Sequence, residues 1–400
     1  MLIKLMKKIL LLSLIVLSLL SCNEPTGLLV EVYNPTDEVR INEMVELDYA
    51  DVLHRLELAE DTSIIVLDVH GFQVYYQITF NNKLIFVPHP VGVGMTDYYR
   101  IIPGVPEHFD ACAVGAHYDR EGDIAWENGR IAFCVSGPEK DVEREQNCGY
   151  DVWVKRVDTP VIPQYYAGIN GDSVACEACD DVLIADTLGG SAILADCYDV
   201  GASLGAGATA LLDAQGNMLY PRRCEAYKIL NDGPLRFTVS LRYSPVVLDG
   251  DTVVETRVIT LNEACQLNKV SVVYHHLTKP VQVVTGIALH DIDALVEHDT
   301  ELRYVACAEP TDSVNGRVYV GMATAMPVQT RVACLDEEEQ AVRGIEGYLL
   351  MQHEYEPGEI YTYYTGAGWS EWGFDTPDDW FSYMRSYAKA LTSPLRVTMK

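Results

Sequence analysis

The stretch LRFTVSLRY, residues 235–243, decides the fold class of this protein. Every second residue in it is apolar: Leu235, Phe237, Val239, Leu241 and Tyr243. The residues between them are polar: Arg236, Thr238, Ser240 and Arg242. Because successive side chains of a β-strand point to opposite faces, this alternation predicts an antiparallel strand with one buried face and one face in water.

Strand patterns of the same kind fill most of the chain. Four apolar stretches follow at regular spacing: TVVETRVITL (252–261), KVSVVYHHL (269–277), VQVVTGIALHD (281–291) and GRVYVGMATAM (316–326). Upstream, short apolar runs over residues 26–103 predict a compact β module, and IPGVPEHFDA (102–111) is typical of a linker. We therefore expect a mainly-β protein with a small N-terminal β-sandwich over residues 22–105 and a large β domain over residues 106–400.

Two helices are predicted within this β background. The first lies in LDYADVLHRLEL, residues 47–58. Its predicted buried side chains are Val52, Leu53 and Leu56. The second follows Thr376, a good N-cap, and begins at Pro377, a residue that suits the first helical position. Its apolar stripe consists of Trp380, Tyr383, Met384, Tyr387 and Leu391. We expect this C-terminal helix to pack on the large domain.

The N-terminus has the pattern of an exported lipoprotein. Lysines at positions 4, 7 and 8 precede a short apolar run over residues 9–20, and Ser21 and Cys22 follow at once. This run is too short to span a bilayer as a helix, and its flanks are typical of a cleaved signal peptide. We expect removal of residues 1–21, a lipid on Cys22, and an outer-membrane lipoprotein on the periplasmic or cell-surface face. The alternative is an ordinary secretory signal with a cysteine there by chance.

The charge of the chain restricts its partners. The formal net charge is -29 at pH 7. Such a chain is repelled by nucleic acid and by anionic lipid headgroups, so we expect no nucleic-acid partner. A polyanionic ligand can bind only in a locally basic cleft, and the lipid on Cys22 is the expected contact with a membrane.

Cysteines give no clear metal site. In an exported protein the cysteines beyond Cys22 can form disulfides, but the sequence does not define their pairing. Cys176 and Cys179 form a C-x-x-C motif, yet no second pair and no histidines follow at zinc-ligand spacing. A local disulfide or two free thiols is the better interpretation.

A predicted hairpin carries the first candidate site residues. In DIAWENGRIAF, residues 123–133, Asn128-Gly129 predicts a two-residue type I′ turn that places Glu127 opposite Arg130. One face is then core: Ile124, Trp126, Ile131 and Phe133. The other face holds Ala125, Ala132, Glu127 and Arg130. The two alanines would leave an open, shallow floor for a ligand beside Arg130, although Glu127 and Arg130 could equally be an exposed cross-strand pair.

Further polar residues lie in loops and at strand ends. The loop AHYDREGD (116–123) contains Arg120, and YDVWVKRV (150–157) places Trp153 and Lys155 on one side of a strand, next to Arg156. Tyr198 precedes the glycine-rich stretch of DCYDVGASLGAGA (196–208), which lacks the lysine and the strand-to-helix context of a phosphate-binding loop. His290 and Asp291 end a predicted strand, where a general base can sit, although a lone histidine there is also a common structural residue.

Several of these segments together resemble the domain-of-unknown-function family 4861. The segments are DIAWENGRIAF, GYDVWVKRV, DCYDVGASLGAG, NDGPLRFTVSLRY, VVETRVITL and YYTGAGWS. The resemblance covers essentially the mature chain and implies an exported protein of polysaccharide-digesting bacteria. Some members resemble dehydratases that remove water from a terminal uronic acid of an oligosaccharide. For the large domain, the β pattern is similar to the β-supersandwich of galactose mutarotases and polysaccharide lyases.

The resemblance implies roles for the candidate residues on an acidic oligosaccharide. A dehydratase abstracts the proton next to the uronate carboxylate and expels the 4-hydroxyl, which requires a cation, a base and an acid. The candidate catalytic residues are Arg130 and Arg156 as cations, with Tyr198 and His290 as base and acid. The candidate substrate contacts are Trp153, Lys155, Arg120, Glu127 and Asp199. This chemistry requires no metal ion and no organic cofactor.

Two departures from the family pattern favour a different function. The family pattern leads us to expect a His- and Gly-rich stretch before D-x-Y-x-V-G, but residues 186–195 read DTLGGSAILA without a histidine. An arginine is expected after RIAF, where this chain has Cys134. The alternative is therefore a non-catalytic glycan-binding lipoprotein of a polysaccharide-utilisation system. A mutarotase-like epimerase is a third interpretation, with the fold but little motif support.

Overall fold

The computed structural model describes residues 27–119, 121–138, 148–169, 182–185, 192–312 and 315–400. The first strands are β1 (Leu28–Tyr33), β2 (Val45–Asp48), β3 (Ile64–Leu67), β4 (Gln73–Val74), β5 (Tyr76–Ile78), β6 (Lys83–Phe86) and β7 (Thr96–Pro103). The next are β8 (Val114–Tyr118), β9 (Asp123–Glu127), β10 (Ile131–Ser136), β11 (Asp151–Lys155), β12 (Val182–Ala185) and β13 (Ala192–Asp196). Then follow β14 (Ala206–Leu212), β15 (Met218–Leu219), β16 (Cys224–Asp232), β17 (Arg236–Tyr243), β18 (Val246–Leu248), β19 (Asp251–Asn262), β20 (Leu267–His275) and β21 (Val281–Leu289). The last strands are β22 (Leu295–Asp299), β23 (Tyr304–Ala308), β24 (Val318–Ala323), β25 (Gln329–Cys334), β26 (Gly347–Tyr355), β27 (Tyr361–Trp369) and β28 (Arg396–Met399). The helices are α1 (Tyr49–Arg55), α2 (Ile162–Ile169), α3 (Glu337–Arg343) and α4 (Pro377–Thr392).

The N-terminal module is a small sandwich of two sheets. One sheet has the strand order β28-β1-β7-β3-β4 and the other has the order β2-β6-β5. Side chains from both sheets form one apolar cluster: Val30, Val32, Val45, Leu47, Ile64, Val66, Leu84, Phe86 and Tyr99. α1 adds buried Val52 and Leu53, as its sequence pattern predicts.

The last strand of the chain belongs to this N-terminal module. β28 pairs antiparallel with β1, and Val397 lies opposite Val32. The predicted domain boundaries, which place all of residues 106–400 in the large domain, are therefore wrong for β28. The sequence of a four-residue strand does not indicate which other strand it pairs with. α4, which packs on the large domain, brings the chain back to β1.

Three sheets in two layers form the large domain. A nine-stranded sheet has the order β16-β17-β19-β20-β27-β24-β23-β22, with β18 paired to β19. The second layer contains a six-stranded sheet, β12-β13-β11-β10-β9-β8, and a five-stranded sheet, β15-β14-β21-β26-β25. One cluster takes side chains from all three sheets, including Trp126 and Val152, Val283 and Leu349, and Phe237 and Val239. The fold is thus a small N-terminal β-sandwich, a large β-supersandwich and a C-terminal helix, which confirms the predicted fold class.

The outer face of the nine-stranded sheet has two coverings. α4 buries Trp380, Phe381 and Met384 against β23 and β24, as the apolar stripe predicts. At the start of β17, the side-chain oxygen of Gln77 accepts hydrogen bonds from the backbone N–H groups of Leu235 and Arg236, both at 2.8 Å. The N-terminal module therefore sits on this face, and it buries Arg236 on the side of LRFTVSLRY that was predicted to be in water.

A buried guanidinium lies where the three sheets meet. Arg257 on β19 is fully buried and forms an ion pair with Glu255 of the same strand. The guanidinium carbon of Arg257 lies 4.4 Å from the ring centre of Tyr243 on β17. It lies 5.4 Å from the ring centre of Tyr150, which immediately precedes β11. Arg257 also donates to the carbonyl of Thr209 on β14 at 3.4 Å, and the Thr209 hydroxyl donates to Glu255 at 2.9 Å. The Arg257 side chain therefore contacts elements of all three sheets.

The hairpin of β9 and β10 differs from its prediction. Glu127 lies opposite Ala132 and Trp126 opposite Phe133, so the loop between the two strands consists of residues 128–130 instead of the predicted two-residue turn. Neither Asn128 nor Gly129 has a positive φ, which a type I′ turn requires at both positions. The predicted core residues of the hairpin do lie in the main core.

A tertiary contact explains the different turn. The Asn128 side-chain oxygen accepts the N–H groups of Arg130 at 2.8 Å and Ile131 at 3.1 Å, and so closes the loop. Its amide nitrogen donates to the carbonyls of Asn262 at 2.6 Å and Cys265 at 2.7 Å, between β19 and β20. These bonds to the neighbouring sheet outweigh the local preference of Asn-Gly for a type I′ turn.

We expect Arg257→Met to lower the free energy of unfolding by about 3–5 kcal/mol, because it leaves the Glu255 carboxylate buried without its counter-ion. Urea unfolding measures this change. Arg242→Met, which removes an exposed arginine paired with Glu225 on the outer face of β17, is the control and should change stability by less than about 0.5 kcal/mol. Equal urea midpoints for the two variants would contradict the role of Arg257 as the counter-ion of the buried Glu255 carboxylate.

Asn128→Asp separates the predicted turn from the observed loop. Asp-Gly suits a type I′ turn as well as Asn-Gly does, so the predicted turn would tolerate the change. In the observed loop the new carboxylate would face two carbonyl oxygens, and we expect a loss of at least about 2 kcal/mol. Thermal unfolding measures the effect, with Asn42→Asp at an exposed position as the control. A melting temperature like that of the control would contradict the observed loop.

Candidate active site

Three aspartates share the outer face of the six-stranded sheet. Asp123 begins β9, Asp151 begins β11 and Asp196 ends β13. In the strand register, Asp151 lies opposite Cys134, and Asp196 lies opposite Trp153. Since residues two apart in a strand share a face, all three carboxyls project on the side away from the main core. Asp151 and Asp196 are half-buried there and Asp123 is buried.

Aromatic rings surround these acids. Tyr165 and Tyr166 reach the sheet from α2, and their rings lie 5.3 Å and 6.0 Å from that of Trp153. Tyr118 stacks on Tyr166 at 3.6 Å. The indole N–H of Trp153 donates to Asp151 at 3.1 Å, and the Tyr166 hydroxyl donates to Asp123 at 3.2 Å. We refer to the following residues as the acid–aromatic face: Tyr118, Asp123, Asp151, Trp153, Tyr165, Tyr166 and Asp196.

Asp151 holds its proton unusually tightly. Burial raises the pKa of its carboxyl well above the usual 3.8, and the neighbouring charges of Asp196 and Asp123 raise it further. Its Oδ1 atom is buried without a hydrogen-bond partner among the described residues. The same surroundings raise the pKa of the half-buried Tyr165 phenol to about 12, first through burial and then through the Asp196 and Asp123 charges. The face therefore favours a neutral carboxylic acid and a neutral phenol beside carboxylates, as acid–base chemistry requires.

Glu127 and Lys155 lie on the same sheet face but away from solvent. Both side chains are fully buried and form an ion pair. Burial raises the pKa of Glu127 and lowers that of Lys155, while their mutual attraction opposes both shifts. The open floor predicted beside Glu127 is therefore wrong, and so is the pairing of Glu127 with Arg130. Neither Glu127 nor Lys155 can contact a substrate as predicted, because α2 and the loop before it cover them.

Tyr198 and His290 come together at one end of the five-stranded sheet. Their rings meet edge to face with centres 5.0 Å apart. The Tyr198 hydroxyl lies 3.2 Å from the carbonyl of Gly205 and 3.1 Å from that of Ala288. Burial raises the pKa of Tyr198 well above its usual range. A buried phenol bonded to backbone carbonyls does not have the placement expected of the predicted base.

His290 has both ring nitrogens engaged. Nε2 lies 2.5 Å from the carbonyl of Asp199, and Nδ1 lies 3.4 Å from the carboxylate of Glu309. A carbonyl and a carboxylate only accept hydrogen bonds, so this arrangement favours the form of His290 that carries protons on both nitrogens. Burial lowers the pKa of His290, but its bonds to Glu309 and the Asp199 carbonyl outweigh burial and raise it overall. His290 thus holds the loop of Asp199, and the Asp199 side chain itself accepts the backbone N–H of Gly201 at 3.0 Å.

No hydrogen bond or ion pair joins the two predicted arginines to the acids of the acid–aromatic face in the described part of the chain. Arg130 is half-buried at the tip of the β9–β10 loop, within electrostatic reach of Tyr383 on α4. Arg156 is half-buried just after β11, where its backbone N–H donates to Ile193 at 2.9 Å. Of the residues predicted to contact substrate, Trp153 is the one that the structure places among the three acids.

Sequence reasoning missed most of the acid–aromatic face. The sequence did contain a signal for two of the acids, because alternate residues of a strand share a face. Asp151 lies on the same side of β11 as Trp153 and Lys155. Asp123 lies on the same side of β9 as Glu127. No sequence signal marked Tyr165 and Tyr166, because α2 was not predicted.

Several predictions fall outside the described residues. These are the signal peptide over residues 1–21, Cys22, Arg120, and the Cys176–Cys179 motif. No two of the eight cysteines within the described ranges are joined to each other by a disulfide. In that part of the chain, no three His, Cys, Asp or Glu side chains are grouped so that they could hold a metal ion. No helix in those ranges is long and apolar enough to cross a membrane.

The fold and the acid–aromatic face define a class of protein: a mainly-β supersandwich with a carboxyl cluster on an outer sheet face. The chain belongs to the family Domain of unknown function (DUF4861), which matches residues 32–397. It is similar to Uncharacterized protein P7 of Formosa agariphila, with 23% identity over 391 residues and 93% of each chain covered.

Two solved structures from Enterococcus faecalis are also similar. One is a protein in the Glycosyl Hydrolase Family 38, with a TM-score of 0.47, 9% identity, and 94% of this chain and 48% of that chain covered. The other is an alpha-mannosidase of strain V583, with a TM-score of 0.47, 8% identity, and 94% of this chain and 46% of that chain covered. This chain therefore spans about half the length of either protein.

We expect Asp151→Asn to change how stability depends on pH. The carboxyl binds its proton more tightly in the folded protein than in the unfolded chain, where its pKa is near 3.8. The stability that the protonated Asp151 carboxyl contributes is therefore fully present below about pH 4. It is lost as the pH rises through the pKa of Asp151 in the folded protein. Asn carries no titrating proton, so the melting temperature of the variant should rise relative to wild type as the pH increases above about 4. Asp61→Asn, at an exposed position, should follow wild type, and a constant difference for Asp151→Asn would contradict the raised pKa.

Proposed function

We propose that this protein is a carbohydrate-active dehydratase. In this proposal it removes water from the terminal uronic acid of an oligosaccharide at the acid–aromatic face. The single carboxylate of that terminal sugar accepts a hydrogen bond from Asp151, so this substrate does not require the locally basic cleft that a polyanion requires. The observation that carries the proposal is the half-buried carboxyl of Asp151 between Asp123 and Asp196, whose Oδ1 atom has no hydrogen-bond partner among the described residues. Burial and the charges of Asp196 and Asp123 raise the pKa of this carboxyl. The family resemblance of the sequence motifs points to the same reaction.

The reaction needs stabilisation of negative charge on the uronate carboxylate. When the neighbouring carbon loses its proton, charge spreads into that carboxylate and forms an enediolate. A cation can stabilise this charge, but a carboxylic acid kept neutral by its surroundings can do so by donating a hydrogen bond. Asp151 has this character, since its Oδ1 lacks a hydrogen-bond partner within the described part of the chain. It takes the role that the sequence analysis assigned to Arg130 and Arg156.

Two neighbours of Asp151 serve as the general base and the general acid of the dehydration. Asp196, half-buried on the next strand, accepts the proton from the carbon beside the carboxylate. Tyr165, half-buried with a pKa of about 12, donates its phenolic proton to the leaving 4-hydroxyl, which departs as water. The carbon–hydrogen electron pair forms the new double bond. Return of a proton from Asp196 to the Tyr165 oxygen, directly or through water, restores the starting state.

One observation favours the second candidate, a non-catalytic glycan-binding protein. The residues that the sequence predicts as base and acid, Tyr198 and His290, have their polar atoms bonded to neighbouring carbonyls and to Glu309. If catalysis required those two residues, the protein would be inactive. The rings and acids of the acid–aromatic face would still form a surface on which a sugar ring can bind.

The test uses a panel of uronic-acid oligosaccharides. Turnover produces a double bond conjugated with the carboxylate, which gives an ultraviolet signal, and the product loses the mass of one water. We expect Asp151→Leu, which removes the hydrogen-bond donor, to lower kcat by about 100- to 1,000-fold with a smaller change in KM, because the hydrogen bond strengthens as charge develops. Asp61→Leu, at an exposed position, should leave both constants unchanged. In wild type, kcat/KM should fall on the alkaline side as Asp151 loses its proton.

Three outcomes distinguish the candidates. Turnover by wild type with the expected loss in Asp151→Leu supports the dehydratase. No turnover on any sugar of the panel, with calorimetric binding that Asp151→Leu weakens, rejects the dehydratase and supports the glycan-binding protein. Turnover that Asp151→Leu leaves unchanged rejects the acid–aromatic face as the site.

A further inference from the structure

The Glu127 carboxylate serves two partners, one with each oxygen. Its Oε2 atom forms the ion pair with Lys155 on the neighbouring part of the sheet. Its Oε1 atom accepts the backbone N–H groups of Val161 and Ile162, both at 2.6 Å. Val161 and Ile162 are the residue before α2 and the first residue of α2. The carboxylate therefore joins the sheet to the beginning of this helix.

α2 has no capping side chain of its own at this end. The N-cap position is usually occupied by Ser, Thr, Asp or Asn, whose oxygen accepts an N–H group of the first turn. Val161 has no such oxygen, and Pro163 has no N–H group. Glu127 supplies the missing acceptor from the sheet, and its negative charge is favourable at the positive end of the helix.

Lys155 fixes the carboxylate in place. Its ammonium group donates to Glu127 and to the carbonyls of Asn128 and Thr159, each carbonyl at 2.8 Å. All three of its protons are thus used, and the pair is complete without water. Thr159 lies in the segment between β11 and α2, so the ion pair holds both the segment and the helix start.

α2 carries the two tyrosines of the acid–aromatic face. Tyr165 and Tyr166 lie one turn beyond the residues that Glu127 binds, and they contact Trp153, Tyr118 and Asp123. We infer that Glu127 is a positioning residue, which sets Tyr165 and Tyr166 over the sheet by capping α2 from below. This inference rests on the proposed function in assigning these tyrosines to a substrate site. This role replaces the substrate contact that the sequence predicted for Glu127.

Two double variants isolate the capping bond from the ion pair. Glu127→Gln with Lys155→Met and Glu127→Met with Lys155→Met both remove the charges. They differ in one respect, since the glutamine keeps an oxygen that can accept the N–H groups of Val161 and Ile162. We expect the glutamine variant to keep the near-ultraviolet circular dichroism of the aromatic cluster and a kcat within about threefold of the Lys155→Met single variant.

The methionine variant should behave differently while remaining folded. We expect it to lose most of the near-ultraviolet signal, keep the far-ultraviolet spectrum, and lower kcat about 100-fold, the effect of misplacing reacting groups by about 1 Å. Equal near-ultraviolet spectra and equal kcat values for the two folded double variants would overturn the inference.

Hydrogen exchange on the wild-type chain tests the same bond without a variant. Amides at the start of a helix normally exchange fast, whereas those of Val161 and Ile162 should be protected as strongly as amides within β11. Exchange at the rate of exposed amides would overturn the inference, even if neither double variant folds. The exchange and dichroism readouts do not require turnover. If no sugar is converted, the proposed function fails while the positioning of α2 by Glu127 is still decided.

Discussion

The structure of the large domain depends on one buried charge, the Arg257 guanidinium. A β-supersandwich has to join a nine-stranded sheet to two smaller sheets that share its inner face, and apolar contacts alone do not define where the two smaller sheets meet. Arg257 contacts Tyr243, Tyr150 and Thr209, one element from each sheet. Because an unpaired charge in the interior costs several kcal/mol, the position of its partners is strictly constrained.

The candidate site follows from this architecture. The inner face of the six-stranded sheet is used for the core, so polar residues are confined to its outer face. There a second buried pair, Glu127 and Lys155, closes one part of the face beneath α2, and Asp151 and Asp196 reach solvent on another part. The two parts differ in their charge balance. The Glu127 carboxylate has a counter-ion and two N–H donors, whereas Asp151 has acidic neighbours and no counter-ion among its interactions in the described residues.

This difference in surroundings separates structural from chemical carboxyls. A buried carboxylate with a lysine and backbone donors is fully satisfied and serves to hold elements together. A carboxyl that is desolvated beside other acids keeps its proton, and a proton held near its site of use is what general acids and oxyanion donors need. The same reasoning separates His290, whose two nitrogens are engaged, from a free base.

The sequence by itself determined the class of fold, the C-terminal helix and the family, because alternation, capping residues and apolar stripes are local patterns. LRFTVSLRY shows a strand through its own residues, and Thr376 and Pro377 start a helix wherever the helix packs. What only the tertiary structure decided depends on contacts between distant segments. Asn128 adopts a different turn because it binds the end of β19 and the loop that follows it, β28 joins the N-terminal module because α4 brings it there, and Glu127 pairs with Lys155 instead of Arg130. The acid–aromatic face arises in the same way. Strand register puts Asp196 opposite Trp153, on the face that also holds Asp151, and α2 adds two tyrosines that no local pattern connects to the sheet.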